Sequence, residues 1–342
     1  MEGTLVGALL RLFGRYPDPL GTVRADGIPW RVKRAPRRII AIGDLHGDVV
    51  ALASILLDRG LIDKTGDWIG SDAHLVLAGD LIGGHKHARL LVDLVMDITE
   101  RAARSGGAVH SLLGNHDLGV LYSAKSINRD AELFERYPVE QADGSSIEDA
   151  FCGQTRYARW LRRRNAIVRV GHTVFAHAGL HDWVLRHSPE RVNATVRAWI
   201  RYWQGVGPEP DEHTGWVVAS PDEVDYLEDA GPLWTRALKP RRKRARTEAP
   251  SAERMQQLIA RCGARRLVIG HAPAPRNRIA LAHPVYGEQV TMIDTRISDP
   301  ETGRLSCLEL RGDEAAAHYP DRADAAKKLR KRLRRQLSAD GE

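Results

Sequence analysis

The 342-residue sequence contains no apolar run approaching the roughly 18–20 residues that a bilayer span requires. That argues against a membrane-spanning protein. The apolar start GTLVGALLRLFGR is preceded by Glu2, and no small-residue cleavage site follows it. It reads as a short amphipathic helix, with a weak signal or surface anchor as the minor alternative. Cysteine is scarce. Cys152, Cys262 and Cys307 are scattered and odd in number, which rules out a disulfide framework or a zinc spacing and favours a reducing cytoplasm. Internal repeats are also absent.

What is present is ordinary for a soluble globular chain: 43% hydrophobic and 28% charged residues. The length suits one large α/β domain with extensions, or two smaller ones. The formal charge of +7 is unevenly placed. KPRRKRAR (239–246) and KKLRKRLRRQL (327–337) together hold thirteen cations and no acid, and without them the remainder carries −6. The basicity belongs to two appendages. The first reads as part of a flexible loop over 239–253, where like charges repel and Pro240 and Pro250 bracket the run. The second predicts an amphipathic basic tail helix within 313–342, with Leu329, Leu333 and Leu337 on one face. Residues 205–225, rich in Gly, Pro and acids, read as a surface insertion.

Short β-rich runs predict strands at 38–43, 74–78, 108–113, 265–269 and 289–294. AIVRVGHTVFAHAGL reads as two strands joined at Gly171-His172. Helical spacing runs through DVVALASILLDRGLI, with Gly60 as its stop, and through HARLLVDLVMDITERAARSGG, ended by Ser105-Gly106-Gly107. Strand–helix alternation followed by hairpin-like strands predicts two packed sheets flanked by helices.

Five of these apolar runs close on glycine and a ligand-type side chain: Gly43-Asp44-Leu45-His46-Gly47, Gly79-Asp80, Gly114-Asn115-His116-Asp117, His177-Ala178-Gly179 and Gly270-His271. Each alone has an ordinary reading, as a helix cap, a turn or a packed histidine. Together they have the chemistry of a metal centre. Carboxylate and imidazole bind borderline metals such as Mn, Fe and Zn. One carboxylate can bridge two such ions. In open α/β sheets, ligands gather beyond the carboxyl ends of strands.

The ordered set GDLHG, GD, GNHD, HAGL and GHAP resembles the phosphoprotein phosphatase branch of the calcineurin-like metallophosphoesterases, over residues 38–296. GPLWTR (231–236) and MIDTRIS (292–298) look like pieces of the bacterial Shewanella-like phosphatase group. The resemblance implies an α/β fold with a β-sandwich core in an αββα arrangement. It places the catalytic domain at 36–312, after an N-terminal extension over 1–35. It implies two metal ions (Mn, Fe or Zn), with Asp44 and His46 on the first, Asp80 bridging, and Asn115, His177 and His271 on the second. His116 would protonate or stabilise the leaving alkoxide, and a metal-bridging hydroxide would attack phosphorus directly. The substrate would be a phosphorylated protein, including phosphoserine or phosphothreonine, or a phosphorylated small molecule.

The chain departs from the family at the second motif, where Gly83-Gly84-His85 stands in place of Asp-Arg-Gly. In the family that Asp orients the catalytic histidine, and that Arg holds phosphate as a bidentate fork. Asp117 is the sequence-level candidate to orient His116. Arg236, His85 and Lys86 are the candidates for phosphate binding, with Arg89 alongside. Two other functions stay open. One is a nucleotide, dinucleoside polyphosphate or RNA 5′-end hydrolase, with the basic tail as a contact for polyanions. The other is a pseudophosphatase that binds a partner without catalysis.

Overall fold

A computed structural model describes residues 28–32, 34–63, 65–84, 87–122, 151, 153–208, 231–239 and 248–321. Most of the N-terminal extension, His85 and Lys86, most of the 205–225 insertion, the basic run 240–247 and the basic tail from residue 322 lie outside the described residues. No helix among the described residues is long and apolar enough to cross a membrane.

The chain enters through a short strand, β1 (Arg31–Val32), then β2 (Ile39–Ile42), α1 (Val49–Asp58), β3 (His74–Leu77), α2 (Ala88–Arg104), β4 (Ala108–Ser111) and α3 (Asn115–Tyr122). It continues through α4 (Arg156–Leu161), the hairpin β5 (Ile167–Val170) and β6 (Thr173–Ala176), α5 (Trp183–Arg186), α6 (Pro189–Trp203) and α7 (Ala252–Arg261). It closes with β7 (Arg266–Ile269), β8 (Val290–Met292) and a second hairpin, β9 (Cys307–Arg311) and β10 (Glu314–His318).

Two five-stranded sheets result, ordered β1-β5-β6-β7-β8 and β10-β9-β2-β3-β4. Each contains a run of three parallel strands: β6, β7 and β8 in one, β2, β3 and β4 in the other. Strand alternation assigns the faces. Ile39, Ala41, Val76, Val168, Val170, Phe175, Val268, Leu308 and Leu310, drawn from both sheets, form one buried cluster. That cluster is the interior of the sandwich. The intervening residues, such as Ile40, Ile42, Leu75, Leu77, Val174 and Ile269, join the core with the helices. The central strands β2, β3, β6 and β7 are therefore buried on both faces, which is why they read as continuous aliphatic runs.

Local signals set the helix ends. The Asp48 side chain accepts from Ala51 N–H at 2.9 Å at the start of α1. Ser188 and Ser251 likewise accept from Arg191 and Arg254 N–H at the starts of α6 and α7. The α7 start lies inside the predicted loop 239–253, so that loop gives way to helix at Ala252. The αββα expectation is met. One boundary is corrected: Glu314–His318, assigned above to a tail helix, is strand β10, with Ala315 opposite Leu310. The alanines favour a helix, but pairing along the edge of β9 outweighs that weak preference.

Candidate metal centre

The two sheets bring the carboxyl ends of their parallel strands to one place. Asp44 and His46 follow β2, Asp80 follows β3, and Asn115 opens α3 after β4. His177 follows β6 and His271 follows β7. Contacts cross between the sheets. His271 N–H reaches both Asp44 oxygens at 3.1 Å. Asn115 Oδ1 lies 2.9 Å from His177 Nε2 and 2.9 Å from His271 Nδ1.

Asp80 stands at the centre. Its Oδ2 lies 3.5 Å from His177 Nε2, 3.8 Å from His46 Nε2 and 3.9 Å from His116 Nε2. Its Oδ1 accepts His116 N–H at 2.9 Å. Two potential ligand groups share this carboxylate: His46, Asp80 and His116; and Asp44, Asp80 and His177. His116, expected as proton donor and not as ligand, has a ring nitrogen that falls in the first of these groups, whose atoms all lie within 4.8 Å of one another.

The donor set fits divalent ions. Neighbouring ligands on an ion with bonds of about 2.1 Å stand about 3 Å apart, close to the two spacings around Asn115 Oδ1. Main-chain carbonyls also set the tautomers. His177 Nδ1 lies 2.8 Å from Ala78 O, and His46 Nδ1 lies 3.3 Å from Ile82 O. A carbonyl can only accept, so the proton sits on Nδ1 and Nε2 is left as the ligand atom. His271 Nε2 is buried without a hydrogen-bond partner, so its Nδ1 is the ring atom facing Asn115.

Electrostatics point the same way. Burial first, then the charges of Asp294 and Asp80, push the Asp44 pKa well above the carboxylate range. For Asp80, burial pushes upward, but the imidazoles of His177, His116 and His46 outweigh it and hold the pKa low. Burial lowers the His271 pKa, with help from the His177 and Arg236 charges. Such crowded, desolvated carboxylates and imidazoles are what bound cations relieve.

The backbone is shaped for this. His46, Asp80 and His271 sit at φ 43°, 51° and 58°, in the left-handed region that costs a non-glycine residue about 1–3 kcal/mol. Gly114 is sterically required, because a Cβ there would stand 2.1 Å from Asp80 Oδ1.

The substituted loop is the main departure from expectation. A Cβ on Gly83 would stand 2.2 Å from His46 Nδ1, so the loop closes against that ring with no room for a side chain. Gly84 faces open space, with nothing within 4 Å of its Cβ position. The idea that Asp117 orients His116 is corrected. Asp117 is fully buried, and its oxygens accept main-chain N–H groups from Ile82 and Gly114, each at 2.9 Å. Its carboxylate ties the loop to the Gly-Asn-His turn. Burial, then the Asp80 charge, raise its pKa to about 7.

Arg236 is exposed, and its charge reaches the pocket through its effect on His271. His85 and Lys86 are outside the described residues. Asp294 was missed. It is buried one residue beyond Ile293 at the end of β8, accepts Arg296 N–H at 2.8 Å, and raises the Asp44 pKa. QVTMIDTR lacks the glycine that marks the other strand ends; the signal available was an acidic residue directly after an apolar strand.

Residues 37–275 match the sequence profile of the family described as calcineurin-like phosphoesterase. The chain is 25% identical to Shewanella-like protein phosphatase 1 of Plasmodium berghei, over 74% of this chain and 65% of that protein. It is also 25% identical to Shewanella-like protein phosphatase 2 of Arabidopsis thaliana, over 50% of this chain and 53% of that protein. It thus spans less than two thirds of either relative. Its fold is similar to that of the cold-active protein-tyrosine phosphatase of a psychrophilic Shewanella species, with TM-score 0.62 and 18% identity over 86% of this chain and 85% of that one.

Proposed function

This chain belongs to the calcineurin-like phosphoesterase family, and we propose that it is a dinuclear-metal phosphatase hydrolysing phosphomonoesters, protein phosphoserine and phosphothreonine among them. The observation that carries the reading is Asp80, whose one carboxylate is shared by both potential ligand groups. Asp44 and His46 would hold one ion, Asn115, His177 and His271 the other, with Asp80 between them. Two bound ions supply a lowered pKa for water and neutralisation of phosphoryl charge.

The protein's own groups do the rest. His116 is the donor to the leaving oxygen. Its side chain is 20% exposed, so it can meet substrate, whereas His177 is fully buried. Its main-chain bond to Asp80 and the edge-to-face contact with His46, 4.7 Å between centroids, fix where the ring points. Water attacks phosphorus in line and the ester P–O bond breaks; the proton from His116 goes to the departing alkoxide, and the water's protons leave with the phosphate or pass to solvent, one of them replacing the proton His116 gave up. Arg236 is the cation for the phosphoryl oxygens, taking part of the role of the absent family arginine. Cys262 and Cys307 are buried free thiols, in keeping with a reducing compartment such as the cytoplasm.

Hydrolysis of p-nitrophenyl phosphate and of a phosphoserine peptide tests this. Both activities depend on added Mn2+ and disappear in Asp80→Asn. His116→Asn loses more on the peptide, whose alkoxide leaves poorly without a proton. Unchanged turnover in both variants overturns the mechanism. Close to two metals per chain separates an enzyme from an inert binding fold. One observation keeps a second substrate class, polyphosphate esters, in view: Gly84 carries no side chain where the family has arginine, and no described atom lies within 4 Å of its Cβ position. Higher turnover on dinucleoside polyphosphates than on the peptide selects it.

A further inference from the structure

Outside the metal centre, arginines gather around the end of α4 and the second half of α6, where Arg162 donates to Gln204 just past the end of α6. Arg162 feels the charges of Arg159, Arg163 and Arg201, and Arg164 those of Arg163 and Arg197. No ion pair among the described residues includes any of these six. Their acceptors are all neutral. Arg162 donates to Gly153 O, Gln204 Oε1 and Gln154 Oε1. Arg164 Nε donates to Trp160 O at 3.1 Å, and Arg197 Nη1 to Asn165 Oδ1 at 2.5 Å.

Arg164 is the anomaly. It is 3% exposed and its guanidinium lies 4.3 Å over the Trp160 ring. Its Nη2 is buried without a hydrogen-bond partner, as is Arg163 Nη1. A guanidinium keeps its proton even when desolvated. This buried cation has the Trp160 ring and a neutral carbonyl as partners, but no anion among the described residues balances its charge. The forked donors of arginine match a tetrahedral oxyanion, and only a small one can reach so enclosed a group.

We propose that Arg163, Arg164 and Arg197 form a binding site for a small phosphate-class oxyanion, separate from the metal centre. The site bears on that centre through one residue. Arg197 holds the Asn165 side chain, while Asn165 O accepts Leu113 N–H at 3.0 Å, just before the Gly114-Asn115-His116 turn. Occupancy would hold that turn from behind.

The test uses inorganic sulfate titrated calorimetrically into the full-length, metal-loaded protein at constant ionic strength, with chloride as background. Wild type binds. Arg164→Gln and Arg197→Gln each weaken affinity on the order of tenfold, the scale of a lost charge-assisted fork. Arg254→Gln, whose guanidinium is engaged with Asp182, leaves it unchanged. Asp80→Asn retains the binding, because the site is not the metal centre. Should Arg164→Gln fail to fold, the half-buried Arg197 carries the test. Unchanged affinity in Arg197→Gln overturns the proposal. So does loss of binding in Asp80→Asn, which would place the anion on the metals. Absence of binding to wild type also overturns it, the cations then being neutralised from within the chain.

Discussion

Asp117 Oδ1 accepts the main-chain N–H of Ile82 at 2.9 Å, and the carbonyl of the same Ile82 faces His46 Nδ1 at 3.3 Å. A buried carboxylate thus bears on His46, a candidate metal ligand, through the backbone of one residue. Asp117→Asn presents an amide NH2 where one of the two main-chain donors needs an acceptor. An unsatisfied buried N–H costs about 1–3 kcal/mol. Urea denaturation should show a loss of that size, accompanied by weaker metal retention. Unchanged stability would mean the carboxylate is not needed to hold the loop.

Gly83 and Gly84 should behave oppositely. Gly83→Ala forces a Cβ into the His46 ring, so the first metal should be lost and elemental analysis should fall from about two ions per chain. Gly84→Ala meets nothing within 4 Å, and stability should change by no more than about 0.5 kcal/mol. Gly84→Arg restores the family's forked cation, and kcat/KM for p-nitrophenyl phosphate should rise. A fall would mean the open space itself is what the substrate uses.

His110 Nε2 lies 3.0 Å from His74 Nδ1 across adjacent strands. Burial first, then the His74 charge, push the His110 pKa down to about 3, and burial lowers that of His74. An unfolded histidine titrates near pH 6.5. Below that pH the unfolded chain takes up protons that the folded pair refuses, so stability is full above about pH 6.5 and is lost progressively towards pH 3. Urea midpoints measured across this range should decline. His110→Leu should flatten the decline, and an unaltered slope would remove the pair as its cause.

Asn115→Ala deletes the oxygen shared at 2.9 Å by His177 and His271 but leaves the Asp44, His46 and Asp80 side untouched. Metal content should fall by about one ion per chain, not two, if each set holds its own ion. Loss of both ions would show that the two sites do not fill independently.

Local sequence signals were enough for seven of the ten strands, β2 to β8, for the two long N-terminal helices and for the order of the polar residues at the strand ends, but not for β1, β9 or β10. These signals are local. Aliphatic runs, helical spacing and a glycine–ligand pair at a strand end span a dozen residues or fewer. The strand-end positions of Asp44, His46, Asp80, Asn115, His177 and His271 were therefore legible before any fold was known. Other features depend on contacts between segments far apart in the chain, which local patterns do not encode. Adjacency suggested that Asp117 would serve His116, but the start of α3 turns its carboxylate onto Ile82, 35 residues away. The Gly83 substitution looked like a lost side chain, and packing made it the surface against which His46 rests. Asp294 became part of the site when β8 paired with β7, and Arg197 reached Asn165, beside Arg164 in the chain, when α6 docked beside β5. Residue type and local periodicity specify elements, whereas which charges share a desolvated space is set by how those elements pack.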